Sequence, residues 1–219
     1  MIPKIIHYIH FGGEDKLSEF RKNVCLPSIY KYCNDWEIKV WDESNLDLDM
    51  NAYVRDAYKR KQYDYLSDYF RIYLIYKYGG VYIDTDVEII KPLDDLLDNK
   101  AFCGIQIQLA YYWSRTGVNE KHEGYGYPTI ALGLIIGAEP NDEYIKKILD
   151  KFNESTTSCS IIMSYTDQIF EKDGFVKENK LQQIKHWTIY PSEYFCPIPY
   201  NSKILNVTNN TYTIHHYGK

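Results

Sequence analysis

Apolar residues near the start of the chain fall first into a continuous run and then into a helical spacing. Residues 4–11 form a β-rich apolar run that ends at two glycines, and this pattern predicts a buried first strand. A helix is predicted over 17–32, and alternation of apolar and polar residues over 36–41 predicts a half-buried second strand. The order strand, helix, strand is typical of an α/β domain.

The clearest helix is predicted over residues 64–78. Apolar residues recur there at every third or fourth position, and two consecutive glycines follow as a C-terminal stop. Directly afterwards, apolar and polar residues alternate over 81–89, which predicts one strand. Extended geometry would place the side chains of Asp84 and Asp86 on the same side of that strand.

The second half of the chain shows fewer clear patterns. Residues 130–137 predict a buried strand, and 142–152 predict an amphipathic helix. Residues 106–128, rich in Tyr, Gly and charge, predict a long irregular connection of the kind that is often functional. We therefore expect a single α/β domain over 1–219, with a mostly parallel central sheet flanked by helices.

Composition narrows the classes to which this chain can belong. The 219 residues are 45% hydrophobic and 25% charged, as in globular domains. The formal net charge of -5 argues against a nucleic-acid partner, because phosphate backbones are bound mainly by clustered Lys and Arg. Five cysteines without a C-x-x-C pair predict reduced thiols. With no apolar run of membrane-spanning length, we expect a cytoplasmic protein that can associate peripherally with the inner face of a membrane.

Asp84 and Asp86 are the first candidates for chemistry. Two carboxylates separated by one residue can converge on a hard cation such as Mg²⁺ or Mn²⁺, which leaves coordination positions for substrate phosphates. Most isolated Asp-x-Asp triplets lie on solvated strand faces, so the triplet alone is a weak signal. Aspartate is disfavoured in strands, however, and two of them among Val, Ile and Tyr favour metal binding.

Two further pairs of polar residues are candidates. Asp68 and Arg71 stand three apart on one face of the predicted helix. They form either a local ion pair of little energetic value or a site where Asp68 binds sugar hydroxyls and Arg71 binds a diphosphate. His215 and His216 are both structural, or one of them completes a coordination sphere made mostly of carboxylates.

Several segments, taken together and in this order, resemble a known family. The segments lie at 2–13, 67–71, 79–86 and 214–217, and they contain Ser-Asp-x-x-Arg, Gly-Gly-Val-Tyr and Asp-x-Asp. The set resembles the retaining glycosyltransferases of family 32, the group with a sugar-binding region that contains the Asp-x-Asp motif. Residues 190–195 also resemble the bacterial branch that builds capsular and other surface polysaccharides. The large clostridial glucosylating toxins share the core pattern more distantly.

The resemblance implies a fold and an activity. The fold would be of the GT-A type, with a nucleotide-binding half similar to a Rossmann fold. The activity would be metal-dependent transfer of a hexose from a nucleotide-sugar, a UDP-sugar rather than a GDP-sugar, with retention of anomeric configuration and with Mn²⁺ or Mg²⁺ as cofactor. The acceptor would be a glycan or a lipid-linked oligosaccharide in surface polysaccharide synthesis.

The resemblance also assigns roles to particular residues. The catalytic group would be Asp68, Arg71 and Asp86. The donor would be bound by Ile9, His10, Asn45, Asp68, Arg71, Tyr82 and Asp84. The metal ligands would be Asp84, Asp86 and His216, with His215 as the alternative.

The sequence departs from the family pattern at two places. His10 stands where the family usually has Trp, and an imidazole stacks less extensively on a nucleobase. The chain ends at Gly218-Lys219, where family members continue with Ser-Trp, so we expect a domain truncated at its C-terminus.

The sequence leaves two rival hypotheses for the function: a metal-dependent nucleotidyltransferase or phosphohydrolase, and a non-catalytic carbohydrate-binding protein on a transferase fold.

Overall fold

The computed structural model describes residues 1–13, 16–108, 127–200 and 202–218. The strands are β1 Ile5–Ile9, β2 Glu37–Trp41, β3 Gly80–Ile83, β4 Val87–Ile89, β5 Ala101–Gln108, β6 Tyr127–Ile130, β7 Ile135–Ala138, β8 Gln182–Ile184, β9 Trp187–Tyr190 and β10 Thr213–His215. The α-helices are α1 Leu26–Tyr32, α2 Ala52–Lys59, α3 Tyr63–Tyr78, α4 Glu143–Glu154 and α5 Ile161–Glu171. A π-helical turn, Arg21–Cys25, leads directly into α1.

The central sheet has the strand order β2-β1-β3-β7-β5-β9-β8, and β6 also pairs with β5. Strand β1 runs parallel to β2 and β3, and β9 runs parallel to β5. Strand β7 runs antiparallel to both of its neighbours, β3 and β5. The expected α/β domain with a central sheet flanked by helices is confirmed, but the sheet is mixed rather than mostly parallel.

The mixed direction has a local cause. Strands β6 and β7 are separated only by residues 131–134, and both pair with β5 in the antiparallel sense. Together they form one interrupted strand beside β5, where the sequence predicted a continuous strand over 130–137. Antiparallel neighbours need no helical crossover, so this part of the sheet is not built from strand-helix-strand units.

The predicted strand over 81–89 is also interrupted, at the Asp-x-Asp motif. Strand β3 ends at Ile83, and the amide of Val87 donates to the carbonyl oxygen of Asp84 at 3.1 Å, which closes a turn. Strand β4 then leaves the central sheet and pairs antiparallel with β10. The prediction of one continuous strand was wrong here, because an alternating pattern does not reveal a turn and aspartate favours turns over strands.

Helix α3 and the glycines that follow it position the motif. The helix ends at Gly79, whose φ of 64° lies in the left-handed region, and a Cβ there would lie 2.7 Å from Pro140 Cδ. Along β3 the side chains alternate between two core clusters, Tyr82 in the cluster that contains α3 and Val81 and Ile83 in the cluster that contains α1. The helical stop predicted from the two glycines is therefore where the structure turns from helix into strand.

The remaining helices pack through their apolar faces. Helix α4 packs against both α3 and α5, and the buried residues of α4 recur at helical spacing, as the sequence predicted over 142–152. The predicted helix over 17–32 corresponds to the π-helical turn and α1, which pack on β4. Within the described ranges, every helix is too short or too polar to cross a membrane.

Candidate active site

A cavity of about 370 Å³ opens where β1 and β3 end, beside the first half of α3. The carboxyl ends of parallel strands lie at the same edge of a sheet, so residues far apart in sequence converge there. The predicted donor and catalytic residues that line this cavity are Ile9, His10, Asp68, Arg71, Tyr82, Asp84 and Asp86. Asn45 does not line it: the Asn45 side chain accepts from the amide of Asp42 and donates to the carbonyl of Val40, so it holds the turn after β2.

Asp84, Asp86 and His215 form a cluster whose ligand atoms all lie within 4.8 Å of one another. His215 Nε2 lies 3.1 Å from Asp86 Oδ1 and 3.8 Å from Asp84 Oδ2. The pairing of β10 with β4 places His215 opposite Val87, directly after the motif. Two carboxylates and one imidazole are a donor set suited to a divalent cation.

His216, the first choice from the family resemblance, is not part of this cluster. Its Nε2 lies 2.9 Å from Glu88 Oε2, and its ring packs edge-on against Phe20 at 4.6 Å. Neighbouring residues at the end of a strand project to opposite sides, so only one of the two histidines can reach the carboxylates. The structure brings the alternative, His215, to them.

The surroundings of Asp86 keep its carboxylate charged. Burial alone would raise its pKa, but the hydrogen bond and charge of His215 and the amide of Gly218 hold the pKa below its ordinary value. Asp86 is only 7% exposed, and the guanidinium Nη2 of Arg21 lies 3.7 Å from Asp86 Oδ2. The motif thus presents a buried anion in the protein, ready to bind a cation.

Arg71 connects the helix to the motif. Its Nη2 lies 3.0 Å from Asp68 Oδ1 and 3.4 Å from Asp84 Oδ1, and its guanidinium lies 4.6 Å from the centre of the Tyr82 ring. The Tyr82 hydroxyl donates to Asp84. Arg71 is buried, so this is a desolvated network that joins α3 to the motif and not the local surface ion pair that was the simpler alternative.

The electrostatics of Asp68 are unusual for a carboxylate. Burial raises its pKa to about 6, although the positive charge of Arg71 acts in the opposite direction. A carboxyl group with a raised pKa in a cavity is a common property of functional sites. Asp68 therefore combines partial burial with a position at the cavity wall, where its oxygens can accept hydrogen bonds from a ligand.

A second cavity, of about 490 Å³, adjoins the first and shares Asp68, Arg71 and Asp84 with it. It contains Asp167 of α5, which the sequence analysis missed because α5 itself was not predicted. Asp167 Oδ1 accepts from the amide of Ile130 at 2.9 Å, and its other oxygen lies 3.5 Å from Lys177 Nζ. The cavity also contains His215, so the candidate metal cluster lies between the two cavities.

The long connection predicted over 106–128 is only partly described. Gln106 and Tyr127, at its two ends, line the second cavity, while residues 109–126 lie outside the described residues. Arg21 was also missed by the sequence analysis, although it lines the first cavity. No local pattern marks Arg21, because its relevance comes from packing of the π-helical turn on β4.

Comparisons with known proteins indicate the enzyme class of this chain. Residues 20–103 match the family described as glycosyltransferase sugar-binding region containing DXD motif, and this stretch includes Asp68, Arg71, Asp84 and Asp86. An uncharacterized glycosyltransferase of Acanthamoeba polyphaga mimivirus, L373, is 24% identical over 212 residues, which are 93% of this chain and 76% of the relative. These findings identify the protein as an enzyme of the glycosyltransferase class.

Two solved structures are similar over nearly the whole chain. A glycosyltransferase involved in glycosylation of the major capsid of PBCV-1 has a TM-score of 0.49 and 11% identity, covering 98% of this chain and 94% of that one. The galactosyltransferase LgtC in complex with donor and acceptor sugar analogs has a TM-score of 0.42 and 14% identity, covering 98% of this chain and 87% of that one.

Proposed function

We propose that this enzyme is a retaining, metal-dependent glycosyltransferase of family 32 that transfers a hexose from a UDP-sugar. The observation that supports this most is the position of two groups of side chains around the same pair of adjoining cavities. The cluster of Asp84, Asp86 and His215 lies between two adjoining cavities, and the Asp68–Arg71 pair lines both of them. A donor bound through its diphosphate at the cluster would extend its sugar toward Asp68.

The residues of the cluster fit a divalent cation. Asp86 is held in its charged form, and Nε2 of His215 faces both carboxylates, 3.1 Å from Asp86 Oδ1 and 3.8 Å from Asp84 Oδ2. Oxygen donors with one imidazole suit Mn²⁺, which tolerates nitrogen ligands better than Mg²⁺ does. Asp84, Asp86 and His215 would hold the ion, which would supply positive charge against the departing diphosphate.

The other residues bind and orient the donor. Arg71 presents a planar guanidinium that can bind a diphosphate oxygen and is kept in place by Asp68, Asp84 and the Tyr82 ring. Asp68 accepts hydrogen bonds from sugar hydroxyls. Ile9 and His10, at the end of β1, lie where the nucleobase would enter the first cavity.

The second cavity would receive the acceptor. Retention follows if the acceptor hydroxyl attacks the anomeric carbon on the face that the diphosphate leaves. The proton of that hydroxyl then passes to the departing phosphate oxygen, and nucleoside diphosphate is the product. We propose a glycan or lipid-linked oligosaccharide of surface polysaccharide synthesis as acceptor, reached in the cytoplasm or at the inner face of a membrane.

Incubation with a panel of UDP- and GDP-sugars, with Mn²⁺ or with EDTA, tests the proposal. We expect metal-dependent release of nucleoside diphosphate and, when a suitable acceptor is present, a product with the anomeric configuration of the donor. Release of sugar 1-phosphate or nucleoside monophosphate would instead indicate a nucleotidyltransferase or phosphohydrolase. Binding of glycan alone, unaffected by metal and by Asp86→Asn, would indicate a non-catalytic carbohydrate-binding protein.

A further inference from the structure

Arg21 occupies an unusual position at the wall of the first cavity. It is the first residue of the π-helical turn Arg21–Cys25, which packs against β4, the strand that follows the Asp-x-Asp motif. Its side chain is 23% exposed and reaches the cavity beside Asp86. A π-helical turn widens a helix locally, and such turns occur frequently at functional sites.

The hydrogen-bonding groups of Arg21 are incompletely used. Its Nη2 lies 3.7 Å from Asp86 Oδ2, which is longer than a hydrogen bond. Its Nε is buried and has no hydrogen-bond partner among the described residues. A guanidinium offers five N–H donors, and leaving a buried donor unmatched is unfavourable.

Arg21 is not simply a partner for the charge of Asp86. A guanidinium placed to neutralise a carboxylate usually lies within 2.7–2.9 Å, and the Arg71–Asp68 pair of this protein is at 3.0 Å. Asp86 already lies 3.1 Å from His215 Nε2 and accepts from the amide of Gly218. A divalent cation on Asp86 would repel Arg21, so Arg21 needs an anion other than Asp86.

The charges around the cavity show which anion fits. Its walls carry three positive side chains and four carboxylates: Lys16, Arg21, Arg71, Asp64, Asp68, Asp84 and Asp86. The net charge is -1, and a bound divalent cation would change it to +1. A cavity with that charge is complementary to an anion such as a diphosphate.

We infer that Arg21 is a second diphosphate-binding residue, which acts together with Arg71. Arg71 adjoins Asp84 and Arg21 adjoins Asp86, so one guanidinium stands at each end of the motif. The diphosphate bound at the metal would then receive hydrogen bonds from both arginines. This inference rests on the proposed function, because it concerns the donor of that reaction.

The test compares Arg21→Gln with Lys22→Gln. Lys22 belongs to the same π-helical turn, lies 3.6 Å from Glu19 and does not line the cavity, so its substitution removes one positive charge from the same turn without touching the site. Calorimetric titrations with Mn²⁺ would use UDP, GDP and the parent nucleosides. For Arg21→Gln we expect the nucleoside diphosphate to bind roughly tenfold or more weakly, the effect of losing one charged hydrogen bond, with nucleoside affinity unchanged. For Lys22→Gln we expect both affinities to stay within about twofold of the unaltered protein, as for a surface charge.

Arg21→Lys supplies a second variant in case Arg21→Gln does not fold. It keeps the charge but loses the planar fork, so we expect an intermediate loss for the diphosphate and none for the nucleoside. Diphosphate affinity of both Arg21 variants equal to that of the unaltered protein would overturn the inference alone. Failure of the unaltered protein to bind UDP or GDP would overturn the proposed function and this inference with it. Equal losses for nucleoside and diphosphate would mean that Arg21 shapes the cavity and does not bind phosphate.

Discussion

Gly133 offers a way to displace Arg71 without touching a charged residue. Gly133 lies in the interruption between β6 and β7, and a Cβ there would stand 2.7 Å from Arg71 Nη1. Its φ lies outside the left-handed region, so alanine is compatible with the backbone. The substitution Gly133→Ala therefore acts on Arg71 through a single added methyl group.

The size of the effect follows from the contacts of Arg71. Ordinary contact begins near 3.4 Å, so Nη1 must retreat by about 0.7 Å, the difference between the two distances. Retreat is restricted, since Nη2 is held by Asp68 at 3.0 Å and the Tyr82 ring covers the guanidinium. A shift of that size moves Nη1 away from the bound diphosphate while Nη2 stays with Asp68. Losing one charged hydrogen bond to the donor costs about 1.5–3 kcal/mol, so we expect UDP affinity and kcat/KM to fall by about 10- to 100-fold.

The free energy of unfolding should change little, because two effects of Gly133→Ala oppose each other. Replacing glycine by alanine at a compatible position reduces the conformational entropy of the unfolded chain and adds about 0.4–1 kcal/mol to the free energy of unfolding. The forced movement of Arg71 Nη1 opposes this gain, so urea unfolding of Gly133→Ala should show a midpoint close to that of the unaltered enzyme. A less active but equally stable variant separates displacement of Arg71 from general damage to the fold.

A double-mutant cycle decides whether the effect passes through Arg71. In an Arg71→Ala background the added methyl group meets no guanidinium, so Gly133→Ala should then change UDP affinity by less than about twofold. A full loss in that background, or full activity of the single variant, would refute the argument that Gly133 leaves room for a fixed Arg71.

Three further predictions concern the cluster and Asp68. Asp86→Asn should abolish the Mn²⁺-dependent part of UDP binding, whereas Asp98→Asn, which removes an exposed carboxylate outside the cavity, should leave it intact in the same titration. His215→Ala should weaken Mn²⁺ binding by about 10- to 100-fold and His216→Ala by much less, and the reverse order in a Mn²⁺ titration would show that His216 is the ligand. For Asp68, the folded-state pKa of about 6 exceeds the ordinary 3.8, so the folded protein keeps the proton after the unfolded chain has released it. The free energy of unfolding should then fall as pH rises from 4 to 6, by about 2 kcal/mol more in the unaltered metal-free protein than in Asp68→Asn. Parallel stability profiles for the two proteins in urea unfolding over this range would contradict the raised pKa.

The Asp68 prediction also describes a compromise in the design of the site. A carboxylate that is charged at neutral pH although burial opposes it lowers the stability of the folded protein. Such unfavourable placements persist where binding or catalysis requires them. An Asp68→Asn enzyme that is more stable at pH 7 but inactive would be the expected signature of that compromise.

Local patterns in the sequence determined a large part of this structure. The helical spacing before Gly79 and Gly80 predicted α3 and its end, and the alternation over 36–41 predicted β2. Both patterns depend on neighbours in sequence, although β2 lies at the edge of the sheet and Val40, on its predicted buried side, is 47% exposed. The grouping of Asp68 and Arg71 could be predicted for the same reason, since they stand one helical turn apart.

Tertiary structure decided the features that depend on residues distant in sequence. It broke the strand at Asp84 and Asp86, because β4 leaves the sheet to pair with β10. The register of that pair selects His215 over His216, since a shift by one residue would exchange their directions. The tertiary structure also brings Arg21 to Asp86, and no residue near Arg21 in the sequence predicts this contact. The Asp-x-Asp motif could be recognised in the sequence because its residues are close together in the chain. The side chains that surround the motif come from separate elements, and they meet only when the chain folds.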